Sequence, residues 1–158
     1  MTNAAVMRSV SLALNSYVNS AVNRYAFTLV ASVPVSASNK VIISFPSQIT
    51  LPSKESDLAC STSETNYFDS VKCSFYKTSS ISNGIKVDLN VKSSIGSVAA
   101  FQSFSIFVNN IKNPGTTKPS SSITVTIVDS SLREVNPNPT PLIVSTNTAN
   151  PLKKASIT

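Results

Sequence analysis

Two cysteines, Cys60 and Cys73, are the residues whose type and spacing most directly suggest chemistry. Twelve residues lie between them. A disulfide here would close a loop of about 14 residues and stabilise the fold by roughly 3 kcal/mol. Such a bridge indicates an oxidising, extracellular compartment, whereas two unpaired buried thiols are the alternative. Two cysteines alone do not supply the four ligands of a tetrahedral zinc site.

Residue types that most enzymes need are missing from the sequence. It contains no His, so a Ser-His-Asp or Cys-His triad and a His-ligated metal are excluded. The three glycines, Gly84, Gly96 and Gly115, are scattered and form no phosphate-binding loop. The composition therefore indicates a binding or structural module rather than an enzyme, and it predicts no catalytic residue, cofactor or metal site.

The acidic residues gather around the first cysteine. Glu55, Asp57, Glu64 and Asp69 are four of the seven acids in the chain. Carboxylate oxygens are ligands for calcium, but the spacing of an EF-hand loop is absent. A solvated acidic loop is therefore the favoured interpretation.

The basic residues are dispersed along the chain. Ten Lys and three Arg against seven acids give a net charge of +6, yet the only adjacent pair is Lys153–Lys154. Phosphate binding favours a clustered patch, so we expect no nucleic-acid partner. Dispersed lysines on strands discourage edge-to-edge aggregation. No apolar run reaches the 18 residues of a membrane span.

Alternation of apolar and polar residues with period two dominates the chain and predicts β-strands. The clearest case alternates Ile85, Val87, Leu89 and Val91 with polar residues. Turn residues separate seven or eight such runs, which predicts an all-β, antiparallel Greek-key β-sandwich of the immunoglobulin-like type. The main alternative concerns residues 3–22, where Ala, Met and Leu also suit a helix. The inward faces are predicted to carry Val10, Leu12, Leu14, Tyr25, Phe27, Leu29, Val41, Ile43, Phe45, Val71, Cys73, Phe75, Phe104, Ile106, Val108, Ile123, Val125 and Ile127.

The cysteine pair is expected to stabilise a loop. Residues 52–68 are the longest stretch with little pattern. Because the cysteines are close in sequence, we expect the bridge to hold this loop against the start of the next strand. A bridge between two sheets is not expected from this spacing.

The chain divides into a β-sandwich domain over residues 1–134 and a C-terminal part over residues 135–158. Residues 136–141 (NPNPTP) predict a stiff spacer, and residues 142–144 predict a last short strand. Residues 8–11 (RSVS) are similar to residues 155–158 (ASIT), either by chance or because a second repeat or a donated strand begins there.

The order of short motifs resembles a known family. Residues 25–29 (YAFTL) and 41–46 (VIISFP) precede the cysteine pair, and residues 104–106 (FSI), 111–114 (IKNP) and 122–125 (SITV) follow it. This order resembles the β-sandwich repeats of very large extracellular surface proteins of ciliate protozoa, over about residues 8–130. The resemblance implies a secreted, disulfide-bearing, repeated domain that is adhesive or forms fibres, and it transfers no catalytic residue.

The sequence thus predicts a structural subunit of an extracellular filament or surface coat, assembled head-to-tail with copies of itself. The alternative is a monomeric, lectin-like adhesin that binds carbohydrate or a cell surface through residues 52–68. No N-glycosylation sequon occurs, whereas the many Ser and Thr residues leave O-linked sugars open. In the filament hypothesis, assembly uses terminal apolar residues, namely Val10, Leu12, Leu14, Leu142, Val144 and Ile157.

Overall fold

A computed structural model describes residues 6–139 and 142–148. These residues form eleven strands and a short 3-10 turn at Glu55–Asp57. The strands are β1 Ser9–Leu14, β2 Val22–Val30, β3 Val35–Ser36, β4 Lys40–Ser44, β5 Ala59–Ser61, β6 Phe68–Tyr76, β7 Gly84–Val91, β8 Ser97–Val98, β9 Ser103–Lys112, β10 Thr124–Val128 and β11 Glu134–Pro137.

The strands form two main sheets. The first sheet has the order β1-β2-β9-β5 and the second has the order β11-β10-β4-β7-β6, while β3 and β8 form a small ribbon. Neighbouring strands in both sheets are antiparallel. Within the described residues, the chain crosses between the two main sheets five times: from β2 through β3 to β4, from β4 to β5, from β5 to β6, from β7 through β8 to β9, and from β9 to β10. The predicted antiparallel β-sandwich of the immunoglobulin-like class is confirmed.

The core lies between the sheets and follows the predicted alternation. Tyr25, Phe27 and Phe104 are completely buried, as are most inward residues of β4, β7 and β10. The ring of Phe45 packs edge-on against both Tyr25 and Phe27, with centroids 6.2 Å apart in each case. Edge-on packing of buried rings adds to the stability gained from burial alone.

The described residues contain more strands than the predicted seven or eight. The additional strands are short, since β3 and β8 have two residues each and β5 has three. Two or three residues are too few to show a period of two, so the sequence pattern misses them. The N-terminal helix alternative is wrong for residues 9–14, which form β1 and bury Val10 and Leu14 on one face.

A β-bulge interrupts β9 near its end. The register with β2 shifts between Asn23 and Tyr25, and Asn110 adopts a φ of 66°. Asn tolerates this left-handed region better than most residues. Because of the extra residue, Val108 and Ile111 both point into the core although they are three positions apart.

The connections between strands lie at two opposite poles. The Ala31 pole contains the β2–β3, β8–β9 and β10–β11 connections, where Phe101 N–H donates to the Ala31 carbonyl at 2.8 Å. The Asn113 pole contains the β1–β2, β6–β7 and β9–β10 connections and the turn after β4. No helix in the described part of the chain has the length and apolar character needed to span a bilayer.

Candidate functional site

The disulfide closes one edge of the sandwich. Cys60 lies on β5, the edge of the first sheet, and Cys73 lies on β6, the edge of the second sheet. The two residues are bonded through their sulfur atoms, with Cα atoms 5.8 Å apart. The bridge therefore joins the two sheets covalently, and we call β5 and β6 the disulfide edge.

This placement corrects the expectation that the bridge only holds a loop against a strand. Residues 59–61 within the predicted loop form β5, which pairs with β9 from Ala59↔Asn109 to Ser61↔Phe107. Residues 62–67 then carry the chain across to the second sheet. Because the chain crosses between sheets in so few residues, cysteines close in sequence face each other across the sandwich.

The chain's two terminal segments close the opposite edge. The N-terminal segment, residues 6–14, contains β1, and the C-terminal segment, residues 134–139 and 142–148, begins with β11. Near the Ala31 pole, Met7 N–H donates to the Pro137 carbonyl at 2.8 Å. Near the Asn113 pole, Val18 pairs in parallel with Asn147, whose N–H donates to the Tyr17 carbonyl at 2.7 Å. The two segments thus run in the same direction along what we call the terminal edge.

The terminal edge contains most of the predicted assembly residues. Val10, Leu14 and Val144 are buried, and they belong to the same hydrophobic core. Leu12 and Leu142 are half-buried and pack against that core. Ile157 lies outside the described residues. Five of these six residues therefore contribute to the hydrophobic core of their own chain.

Residues 136–138 of the predicted stiff spacer pair with the sandwich, and residues 140–141 lie outside the described part of the chain. Residues 134–137 form β11, which pairs with β10, and Asn138 N–H donates to the Val125 carbonyl at 2.9 Å. The predicted last strand is a single bridge, in which Leu142 and Ile123 exchange backbone hydrogen bonds of 3.2 and 2.7 Å. Proline lacks a backbone donor, so this segment pairs at intervals along an edge instead of in a continuous ladder.

Two buried asparagines, Asn113 and Asn136, hold the terminal edge, and neither is among the residues predicted from the sequence. Asn136 Oδ1 accepts from Ser32 N–H at 3.0 Å, and its Nδ2 donates to Ser32 Oγ at 2.8 Å. The Ser32 hydroxyl in turn donates to the Val6 carbonyl at 2.8 Å. Asn136 therefore links β11 to the first sheet and to the N-terminal segment.

Asn113 has the same role at the other pole. Its Nδ2 donates to the carbonyls of Ser16 and Val18, each at 2.9 Å. Its Oδ1 accepts from the Tyr25 hydroxyl at 2.7 Å and from Asn23 at 3.1 Å. Both asparagines directly precede proline, which is the one sequence signal that marks them.

The Tyr25 hydroxyl is a titratable group whose pKa is strongly changed by its surroundings. The side chain is completely buried, and this burial raises the pKa of the phenol far above its ordinary value of 10. The group therefore stays protonated and serves as a hydrogen-bond donor to Asn113.

Two adjacent grooves open at the Asn113 pole. One has a volume of about 480 Å³ and includes Phe75, Lys77 and Asn83 in its lining. The other has a volume of about 460 Å³ and includes Asp57 and Lys112. Residues 50–53 line both grooves and are anchored by two backbone hydrogen bonds between Thr50 and Lys112, at 3.0 and 2.9 Å.

The acidic residues do not come together. The Glu64 carboxylate accepts from Ser105 N–H at 3.0 Å, and Asp69 forms an ion pair with Lys92 at 2.9 Å. Within residues 6–139 and 142–148, no three acidic, His or Cys side chains are close enough to hold a metal ion. Lys40 on β4 pairs with Asp88 on β7 across the strands at 2.7 Å, an exposed contact of little energetic weight.

The strand order and the buried core define the chain as an immunoglobulin-like β-sandwich domain closed at both edges. No protein-family model matches the chain, and no curated protein matches its sequence.

Comparison with solved structures finds distant similarity across nearly the whole chain. A non-cellulosomal cohesin from the archaeon Archaeoglobus fulgidus is 12% identical, covers 95% of this chain and 99% of its own, and has a TM-score of 0.47. An uncharacterised protein from Nocardia farcinica with an immunoglobulin-like fold is 12% identical and has a TM-score of 0.45. The match covers 89% of this chain and 99% of that protein. The CBM3b of the major scaffoldin subunit ScaA from Acetivibrio cellulolyticus is 11% identical and has a TM-score of 0.41. The match covers 88% of this chain and 95% of that domain. No residue role is transferred from these structures.

Proposed function

We propose that the chain is a structural module of an extracellular filament or surface coat, in which units follow one another end to end. The observation that supports this most is the direction of the terminal segments. The described chain enters the sandwich at Val6, on the side of the Ala31 pole, and reaches the Asn113 pole at Asn147. Units linked in series through such ends extend along one axis instead of folding back beside each other.

Units follow each other either as repeats of one long chain or by strand complementation between chains. The resemblance to ciliate surface repeats favours the first route. In the second route, a neighbour's terminal strand would replace the chain's own terminal strand and make the same contacts. This follows because Val10, Leu14 and Val144 are already buried within their own chain. The part of Ile157 in such an exchange stays a prediction.

The extracellular location rests on the disulfide and on the surface chemistry. Disulfides between sheets persist in oxidising compartments and are rare in the cytosol. With 30 Ser, 14 Thr and 15 Asn, the chain is rich in uncharged polar groups, which keep a long assembly hydrated with little charge repulsion.

Negative-stain microscopy tests this function on two samples, the 158-residue chain and a covalent tandem of two copies. Filaments from the single chain support strand complementation. Extended two-bead particles from the tandem alone support repetition within a longer chain. Isolated single-chain particles together with a compact, side-by-side tandem would overturn the proposal.

The grooves at the Asn113 pole favour a second candidate, an adhesin that binds carbohydrate through the predicted loop. Residues 50–53 and Asp57 bring two cavities and several polar groups to one surface. A glycan array probed with the chain tests this candidate. Binding that is lost in Asp57→Ala and Lys77→Ala but kept in Lys92→Ala, at the other pole, supports it, and no binding to any glycan contradicts it.

A further inference from the structure

We propose that the N- and C-terminal segments form a clamp that bears tension along the long axis of the sandwich. This inference rests on the proposed function, because such tension arises only where units are linked in series. The segments run parallel along the terminal edge, with Val6 on the side of one pole and Asn147 at the other. Tension on the two ends therefore pulls the segments in opposite directions along their own axes.

The N-terminal segment is loaded in shear. β1 pairs with β2 in six successive positions, from Ser9↔Val30 to Leu14↔Tyr25. Ladder hydrogen bonds in an antiparallel pair lie perpendicular to the strands. A pull along β1 thus stretches all of these bonds together, whereas a pull across β1 would open them one at a time.

The C-terminal segment is loaded in the same way by a different set of contacts. Ser120 N–H donates to the Val144 carbonyl at 2.9 Å, and Val144 N–H donates to Ser120 Oγ at 3.0 Å. Thr146 Oγ1 donates to the Thr116 carbonyl at 3.0 Å. These bonds extend the pairing with Ile123 toward the Asn113 pole, so the segment is held at intervals along its whole length.

The buried asparagines anchor the clamp at both of its ends. Asn136 ties β11 to Ser32 and, through the Ser32 hydroxyl, to Val6. Asn113 holds the Ser16 and Val18 carbonyls directly after β1, beside the parallel contact with Asn147. The segments are therefore fixed to the sandwich at the points where the load enters.

The disulfide lies outside this load path. Cys60 and Cys73 join β5 and β6 at the edge opposite to the terminal segments. The bridge does not hold the clamp closed, but it keeps the residues between the cysteines from extending after the clamp opens.

Single-molecule pulling of the 158-residue chain in two geometries tests the clamp. Handles at both chain ends load β1 in shear. Handles at the N-terminal end and at Pro34→Cys, an exposed position in the β2–β3 connection at the same pole, peel the same ladder from its Ser9 end. We expect the rupture force to be higher in the first geometry by roughly two-fold or more. Equal forces in the two geometries would overturn the clamp.

Matched variants separate mechanical from thermodynamic effects. Leu14→Ala in β1 and Leu89→Ala in β7 remove the same atoms from buried sites. Both lower the stability toward urea, but only Leu14→Ala should lower the rupture force between the chain ends. A loss of force that is equal in the two variants contradicts a clamp at the termini.

Reduction gives an independent readout. The 13-residue separation of the cysteines, at about 3.5 Å per residue less their Cα distance of 5.8 Å, predicts about 40 Å of additional extension after reduction. The rupture force should not change, and a large drop would place the disulfide in the load path. The clamp and the proposed function can fail separately. A high rupture force between the chain ends, in a chain that never assembles end to end, would refute the proposed function but would still support the clamp.

Discussion

At the scale of single residues, a few buried polar groups hold the connections in place. Asn113 is only 2% exposed. Its amide nitrogen donates hydrogen bonds to two carbonyls of the β1–β2 connection, and its amide oxygen accepts one from the Tyr25 hydroxyl. A buried polar group that loses its partner costs much more than a single hydrogen bond contributes. These residues therefore determine how firmly the loops at the Asn113 pole are held.

Replacement of Asn113 by Ala should lower the free energy of unfolding by about 2–4 kcal/mol, because several buried groups lose their partner. Urea denaturation followed by circular dichroism measures the change. Asn90→Ala, at an exposed position of β7, is the control and should stay within about 0.5 kcal/mol of the wild type. Equal effects of the two substitutions would show that the Asn113 amide is not structurally important.

The Tyr25 phenol predicts how stability changes at high pH. Its pKa is raised by burial in the folded state and is about 10 in the unfolded state. Above pH 10 the unfolded state loses its proton first, so the stability of the wild type should fall as the pH rises, by at most about 1.4 kcal/mol per pH unit from this group. Tyr25→Phe removes this part of the slope. Parallel profiles of wild type and variant between pH 9 and 11 would contradict the assignment.

At the scale of elements, close backbone contacts decide where strands turn. Gly84 begins β7 beside the β6–β7 connection, where a Cβ atom would lie 2.6 Å from the Ile81 side chain and 2.9 Å from the Tyr76 carbonyl oxygen. The carbonyl is part of the pairing of β6 with β7 and does not move away easily. The position therefore accepts only glycine without a shift of the hairpin.

Gly84→Ala should lower the free energy of unfolding by about 1–3 kcal/mol, as overpacking in a closed site does. The matched control is Gly115→Ala, where the nearest atom to a new Cβ is the Ser20 hydroxyl at 3.4 Å. Thermal and urea denaturation of both variants measure the difference. A Gly84 variant as stable as the Gly115 variant would show that the hairpin relaxes freely.

At the scale of the whole molecule, the sandwich is held together at both of its edges. The disulfide joins the sheets at one edge, and the terminal segments join them at the other. Edge strands expose unpaired backbone groups that favour aggregation. At the terminal edge, backbone hydrogen bonds from Met7 to Pro137 and from Asn147 to Tyr17 satisfy some of these groups, whereas the disulfide links the opposite edge through side chains alone.

Reduction of the disulfide should lower the free energy of unfolding by about 3 kcal/mol, the value expected for a loop of this length. Urea denaturation with and without a reducing agent measures this loss. The Cys60→Ser/Cys73→Ser double variant should match the reduced protein and should not respond to the reductant. No change of the wild type after complete reduction would contradict a structural role of the bridge.

The local pattern of the sequence was sufficient to predict the fold class and most of the residues in the hydrophobic core. The alternation in β2, β4, β7 and β10 predicts which side chains point inward, because successive residues of a strand face opposite sides wherever the strand lies. The strand β5 is not predicted, since its three residues show no period, and β11 resembles a linker in sequence because of Pro137 and Pro139.

The sequence by itself thus determined an antiparallel β-sandwich with a hydroxyl-rich surface and a cysteine pair, because composition and period are local properties. Only the tertiary structure decided that Cys60 and Cys73 join two sheets and that Val10 and Val144 share one core. It also decided that Asn113 and Asn136 are buried. The physical reason is that pairing between distant strands, and the burial of a polar group, depend on where the chain crosses between layers, which no short window of sequence contains.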